Sequence, residues 1–337
     1  MTGLSPFLER LLRDVSRSFY LTLRVLPSAI RPSIGVAYLL ARATDTIADT
    51  EIIPVARRLA ALQKLRECIQ SGHLAPGALD EMAHNQGSTA ERLLLTRLEE
   101  VMSALNRLDP ADRQRVQTLL DIITSGQELD LTRFGDKHVA QVIALQTDAE
   151  LDDYTYRVAG CVGEFWTHIC RAHLYLHKGV TEEEVLANGV RFGKGLQLVN
   201  ILRDLPADLR NGRCYLPEKP MAPFGLSPMD LLSPDSQSRF KPFYWKYLSQ
   251  ARTHLAAGWE YTLALPSRRV RLRLACAWPI LIGVRTLDKL REINVLDPGQ
   301  RVKVNRSEVR GILARTILLY PWQPVWRQLL PPEAKTS

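Results

Sequence analysis

Asp45 and Asp49 stand four residues apart in "YLLARATDTIADT", a run that is otherwise largely apolar. On a helix, positions i and i+4 share a face, so the two carboxylates project side by side and repel unless a cation lies between them. A carboxylate drawn into an apolar surround needs an ion or a hydrogen-bond partner. Taken alone, the pair reads as an ordinary solvated helix end with Asp45 paired to Arg42. "GKGLQLVNILRDLPADLRNGR" repeats the arrangement at Asp204 and Asp208, where Gln197, Asn200, Asp204 and Asp208 make a polar stripe at spacings of three and four. Two such faces opposed across a helical bundle would form a cage of oxygens. Hard divalent cations, Mg²⁺ above all with Mn²⁺ as its substitute, take oxygen ligands and complete their shell with substrate phosphates. The pattern predicts a diphosphate held through Mg²⁺.

Basic residues stand where that chemistry needs them. "SRSF" sets Arg17 between Ser16 and Ser18, Arg42 lies three residues before Asp45, and Arg203, Arg210 and Arg213 surround the second pair. Guanidinium forks bind phosphate bidentately. Other chemistries fit poorly. A di-iron bundle needs Glu-x-x-His on each of two helices, which the sequence does not repeat. No GxxxxGK[ST] or GxGxxG loop occurs, so no ordinary nucleotide site is visible. The five cysteines form no CxxC pair and are odd in number, which argues against a zinc knuckle or disulfide framework and for reduced thiols in a cytosol.

The elements that position these residues read as helices. "ALQKLRECI", "AERLLLTRLEEVMSAL", "RQRVQTLLDIITSGQEL" and "EEEVLANGVRFGKGLQLVNILRDL" repeat apolar residues at three and four, and strand-like alternation is nearly absent. Prolines and glycines punctuate the chain into roughly nine or ten helices. The proline-rich stretch 217–228 reads as a lid or a surface crossing, and Pro206 predicts a kink or a new turn before Asp208. At 337 residues, 46% hydrophobic and 24% charged, the chain reads as a single all-α domain over 1–337 with a flexible polar tail at about 330–337. A net charge of +8 favours an anionic partner. The basic surface lacks the aromatic interleaving of an RNA platform, so nucleic acid is not expected. The N-terminus lacks the apolar core of a signal peptide, and the longest apolar run, "ACAWPILIGV", is too short to span a bilayer, which takes about 20 residues. A cytoplasmic chain follows, with peripheral membrane contact through the tryptophan-bearing "YPWQPVWRQLLPPEAKTS" as an option.

These residues resemble the squalene and phytoene synthase family. "SRSF" is similar to its SxSF element, "YLLARATDTIADT" to its first aspartate-rich motif in the DTxxD form, and "YTYRVAGCVGEFW" to its YxYxVAGxVG segment. "QLVNILRDLPADLRNGRCYLP" resembles the second motif, NxxRDxxxD, and "GQELDL" the GMxMDL element. The resemblance implies an isoprenoid-synthase helical bundle around a central cavity and head-to-head joining of two prenyl diphosphates. It implies Mg²⁺ on Asp45, Asp49, Asp204 and Asp208. Diphosphate contacts fall to Ser16, Arg17, Ser18, Tyr38, Arg42, Gln197, Asn200 and Arg203, and Tyr154 and Tyr156 come near the reacting allylic cation. Small Ala159, Gly160 and Gly163 would then leave room for an isoprenoid. Where the family commonly carries further acids beside the first pair, Ala48 and Thr50 stand.

Family members divide after the shared condensation. "ACAWPILIGVRTL" and "QRVKVNRSEV" resemble the reductive branch, which implies two farnesyl diphosphates joined to presqualene diphosphate and reduced to squalene with NADPH, or NADH in its place. Cofactor contacts then fall to Lys303 and Arg306, together with the diphosphate arginines Arg17, Arg42 and Arg203. Asn305 departs from the usual arginine of that element. Alternatives are proton loss to dehydrosqualene or phytoene, and a non-catalytic relative serving as an assembly factor. A monomer is expected.

Overall fold

The computed structural model describes residues 4–16, 20–75, 77–135, 141–174 and 180–330. Arg17, Ser18 and the tail beyond 330 lie outside the described residues. Contacts group the chain into two compact units, Met1–Asp136 with Phe165–Leu176, and Lys137–Glu164 with His177–Ser337.

The first unit holds α1 (Pro6–Ser16), α2 (Tyr20–Val25), α3 (Arg31–Ala48), α4 (Val55–Ser71), α5 (Asp80–His84), α6 (Thr89–Thr96), α7 (Leu98–Asn106) and α8 (Pro110–Phe134). Helix α3 is its centre. Ile34, Val36, Leu39, Leu40, Ala43 and Ile47 are buried, so the helix is enclosed on most sides, while Arg42 and Asp45 stay partly exposed. Asp109 caps α8 by accepting from the Ala111 amide at 3.0 Å, with Pro110 at the first helical position. A buried carboxylate, Asp112, is satisfied threefold: by the Ser33 hydroxyl at 2.7 Å, Arg115 at 2.8 Å and His173 Nε2 at 2.8 Å.

The second unit holds β1 (Ile143–Ala144), α9 (Asp148–Thr155), a π turn at Tyr156–Gly160, and the start of α10 (Cys161–Leu174), whose remainder belongs to the first unit. It continues with α11 (Glu182–Arg210), β2 (Arg213–Cys214), α12 (Gln237–Ala264), α13 (Val270–Glu292), α14 (Arg306–Leu318) and α15 (Gln323–Arg327). The only regular strand pairing among the described residues is the two-residue parallel bridge of β1 on β2. Helix α11 opens on a capping box in which Thr181 and Glu184 satisfy each other's amides. It packs so closely on the π turn and α10 that a Cβ at Gly163 would lie 1.9 Å from the Gly189 carbonyl oxygen, and one at Gly193 2.1 Å from that of Ala159.

Several expectations change here. Fifteen α-helices occur among the described residues rather than nine or ten, because short helices such as α2, α5 and α15 carry too few residues to show a period, and "AERLLLTRLEEVMSAL" breaks at Arg97 into α6 and α7. Pro206 does not end α11, which runs through it to Arg210, so Asp208 stays on the same helix as Asp204. The 217–228 stretch is no open lid. It folds into a 3₁₀ turn at Lys219–Phe224 with Met221 and Leu226 buried and the Glu218 amide donating to Leu145 O at 2.8 Å. At Gly163 the small residue admits the α11 backbone instead of leaving isoprenoid space.

One half-buried base makes stability depend on pH. Burial first, then the charges of Arg191 and Lys194, push His254 of α12 down to about 4, against the opposing pull of Asp152. The folded chain thus refuses a proton that the unfolded chain accepts below its ordinary 6.5. Stability is therefore full above pH 6.5 and falls as pH drops toward 4, by about 2 kcal/mol from this site. Denaturant melts of wild type and His254→Gln between pH 7 and 4.5 should show the variant lacking this part of the slope.

Candidate active site

The first aspartate pair sits at the C-terminal end of α3. Asp49 is the C-cap, its amide donating to Asp45 O at 2.9 Å, so both carboxylates lie where the helix dipole is negative. Surrounding protein first, and the charge of Asp49 second, push the Asp45 carboxyl up to about 6, with Arg42 opposing. Its side chain nonetheless keeps 45% of its surface accessible, so the carboxylate is open to solvent and to a cation in it. Arg42 donates to Asp45 at 2.6 Å and also binds Glu91. Tyr38 stands one turn before Arg42, half-buried.

At the neighbouring positions Ala48 and Thr50 serve other contacts. Thr50 is buried, donating to Thr46 O at 2.7 Å and accepting from Gln86 Nε2 at 2.6 Å, while Ala48 O receives Arg58 at 2.6 Å. The Thr50 side chain is thus committed to buried hydrogen bonds, while Ala48 is partly exposed and contributes its backbone carbonyl.

The second pair occupies the last two turns of α11, again at a negative helix end. Arg203 grips Asp204 through Nε at 2.9 Å and through Nη2. Asn200 is exposed, and Gln197 and Asp208 are partly so. Each pair therefore carries its own arginine. Among the described residues no group of three or more His, Cys, Asp or Glu could hold a metal ion. The residues present still fit Mg²⁺ in a shared mode: paired carboxylates at a negative helix end, one with its proton affinity raised, leave most of the shell to phosphate and water.

Tyr154 and Tyr156 leave α9 on either side of the turn into the π segment, a local insertion common at functional sites. Tyr154 is buried and stacks on Tyr215 with ring centroids 4.6 Å apart. Tyr156 donates to Glu164 at 3.0 Å, and burial followed by that carboxylate pushes its phenol up to about 12. It stays protonated at neutral pH. Lys194 lies over the Tyr156 ring at 5.8 Å and pairs with Asp152 at 2.7 Å.

At the α13–α14 junction, Asn305 is a helix cap: it accepts from the Glu308 amide at 2.9 Å, and Glu308 accepts from the Asn305 amide at 3.0 Å. Glu308 also binds Lys289 at 2.6 Å and Arg285 at 3.0 Å, and Lys289 reaches Lys303 O at 3.1 Å. Lys303 and Arg306 are exposed on this frame. Ser16 is buried at the end of α1, and its predicted partners Arg17 and Ser18 lie outside the described residues. Glu91 and Glu164 went unread in the sequence. Glu91 looks there like a plain N3 capping acid after Ser88, and Glu164 meets Tyr156 from beyond the π turn.

The family profile described as squalene/phytoene synthase matches residues 12–308. The chain belongs to the squalene/phytoene synthase family. Members are prenyltransferase-type enzymes of isoprenoid biosynthesis, with the all-α fold seen here. The chain is 31% identical over 218 residues to the bifunctional lycopene cyclase/phytoene synthase of Blakeslea trispora, a match covering 62% of this chain and 32% of that protein. It thus spans about a third of that relative's length. It is 28% identical over 305 residues to the presqualene diphosphate synthase of Sinorhizobium fredii, covering 90% of this chain and 93% of that one. A solved complex of TcSQS with the ligand BPH1237 is similar in fold, with TM-score 0.76 at 24% identity over 98% of this chain and 93% of that one.

Proposed function

We propose that this chain is a squalene synthase, joining two farnesyl diphosphates head to head to presqualene diphosphate and reducing that product to squalene with NADPH. The observation that carries the proposal is the repeated device of two carboxylates and one arginine at a negative helix end, on α3 and again on α11. Asp45, Asp49, Asp204 and Asp208 would hold Mg²⁺, which supplies charge neutralisation of the departing diphosphate. Arg42 and Arg203 are held in place by Asp45 and Asp204, and their guanidinium forks would give donors to the phosphate oxygens. Ser16, Arg17, Ser18, Tyr38, Gln197 and Asn200 are the further diphosphate contacts of this reading. Tyr156, held protonated and oriented by Glu164, presents a phenol dipole, and Tyr154, stacked on Tyr215, the other face of its ring, to positive charge on the prenyl chain. Under this reading the whole chain acts as one catalytic domain.

The reductive branch is supported by the basic frame around Lys303 and Arg306, which presents cations suited to a phosphorylated dinucleotide. NADPH, or NADH, supplies hydride when bound. A second reading, in which presqualene diphosphate is itself the released product, is favoured by the Sinorhizobium fredii relative, which matches nearly the full length of both chains. Purified protein incubated with farnesyl diphosphate and Mg²⁺, with and without NADPH, separates the two by product mass. Squalene formed only with NADPH supports the proposal. Presqualene diphosphate as sole product in both arms supports the second reading, and dehydrosqualene irrespective of NADPH overturns both.

A further inference from the structure

The second unit exposes an apolar surface that its own packing prevents from turning inward. Ile317, Leu318, Trp322 and Val325 lie within nine residues, and all are exposed, Leu318 by 69% and Trp322 by 62%. The residues between them are pinned. Trp326 is fully buried, stacks on Trp259 at 5.0 Å and donates to Thr316 O at 3.0 Å, while Trp278 donates to Thr316 Oγ1 at 2.9 Å. Tyr320 donates its hydroxyl to Ser267 O at 2.6 Å, and Arg273 Nη1 donates to Gln323 Oε1 at 2.7 Å. These bonds bring the stretch 310–330 against 266–273. Neither stretch contains an aspartate or glutamate, yet together they carry seven arginines. Arg268, Arg271, Arg310, Arg315 and Arg327 are exposed, beside exposed Val270.

No helix among the described residues is long and apolar enough to cross a membrane. A rigid apolar ridge with tryptophan at its crest, surrounded by arginine and free of acids, instead has the chemistry of a surface that sits in the bilayer interface. We propose that this face, built from the end of α14, α15 and the start of α13, docks the protein on an anionic lipid surface. The arginines supply attraction to lipid headgroups, and Leu318 and Trp322 enter the boundary between headgroup and acyl chain. The docking is a property of this surface whatever reaction the chain performs, so it is measured without substrate.

The test is co-sedimentation of the full chain with phosphatidylglycerol/phosphatidylcholine vesicles and with pure phosphatidylcholine vesicles. Wild type is expected on the anionic vesicles and released by salt. The double change Leu318→Gln with Trp322→Gln should lower partitioning at least about tenfold, as loss of buried apolar area dictates. The triple change Arg268→Ser, Arg271→Ser and Arg315→Ser should weaken binding to the anionic vesicles and flatten its salt dependence. All these side chains are exposed, and circular dichroism checks that the helices persist. Failure of wild type to sediment, wild-type partitioning in both variants, or a dimer in analytical ultracentrifugation that Trp322→Gln dissociates would each overturn the proposal, the last by assigning the face to a second copy of the chain.

Discussion

Replacing Asp45 or Asp204 by asparagine is expected to lower turnover of farnesyl diphosphate by about a thousandfold, the scale on which a positioned electrostatic contact to a transition state acts. Each substitution keeps the shape of the side chain and removes the charge that would hold Mg²⁺. The two should differ in what they do to the fold. Asp45 carries a carboxyl whose ionisation is opposed by its protein surround and by Asp49. Its neutral replacement relieves that repulsion, and Arg42 keeps Glu91 as a partner. The Asp45→Asn protein should therefore melt no lower than wild type while losing activity. Asp204→Asn strips Arg203 of its charged partner on an accessible helix end, which costs at most about 1 kcal/mol. Activity and thermal melting measured on the same preparations check both; a large drop in melting temperature for Asp45→Asn would mean that the pair is a structural feature of α3.

The second large effect concerns how α11 is positioned. Gly163→Ala or Gly193→Ala should destabilise the protein by about 3 kcal/mol or more, because the added methyl meets a backbone carbonyl that no rotamer change can move. A Cβ at Gly163 would sit 1.9 Å from Gly189 O, closer than any packed pair of atoms, so the helix must shift. That shift displaces Asp204 and Asp208, carried on the same helix, and Tyr156 in the π turn beside it. Activity should fall before the protein unfolds. Gly311→Ala provides the contrast: nothing lies within 4 Å of its Cβ position on α14, so the change should stabilise by up to about 1 kcal/mol through helix propensity alone. Chemical denaturation of the three variants gives the comparison.

Much of this was legible in the residues. The two aspartate spacings read as helical faces, and α3 and α11 carry them as such. Local periodicity suffices for this because burial of Leu39, Leu40, Ala43 and Ile47 fixes which side of α3 turns inward. What the sequence hid depends on pairing between distant elements. Glu91 lies 49 residues from Arg42, and no local pattern announces their meeting. The π turn at Tyr156–Gly160 gave no local signal; it lies where Gly193 and Gly163 let α11 come against the neighbouring backbone. At Pro206 the new turn allowed for in the sequence does not form. Proline removes one helical hydrogen bond, yet a helix buried along Leu198, Val199, Leu202, Leu205 and Leu209 keeps enough packing to continue through it. Asn305, which departs from the family's basic residue, has a separate structural use as the cap of α14.

The most direct test of the central claim is the coupling reaction itself, read as products of farnesyl diphosphate in the presence of Mg²⁺ and again after chelation, with inorganic diphosphate counted alongside. The account predicts a thirty-carbon product with at least one diphosphate released for each pair of substrates consumed, all of it abolished by chelator. Diphosphate release yielding only fifteen-carbon alcohol, or thirty-carbon product that persists in chelator, would contradict it.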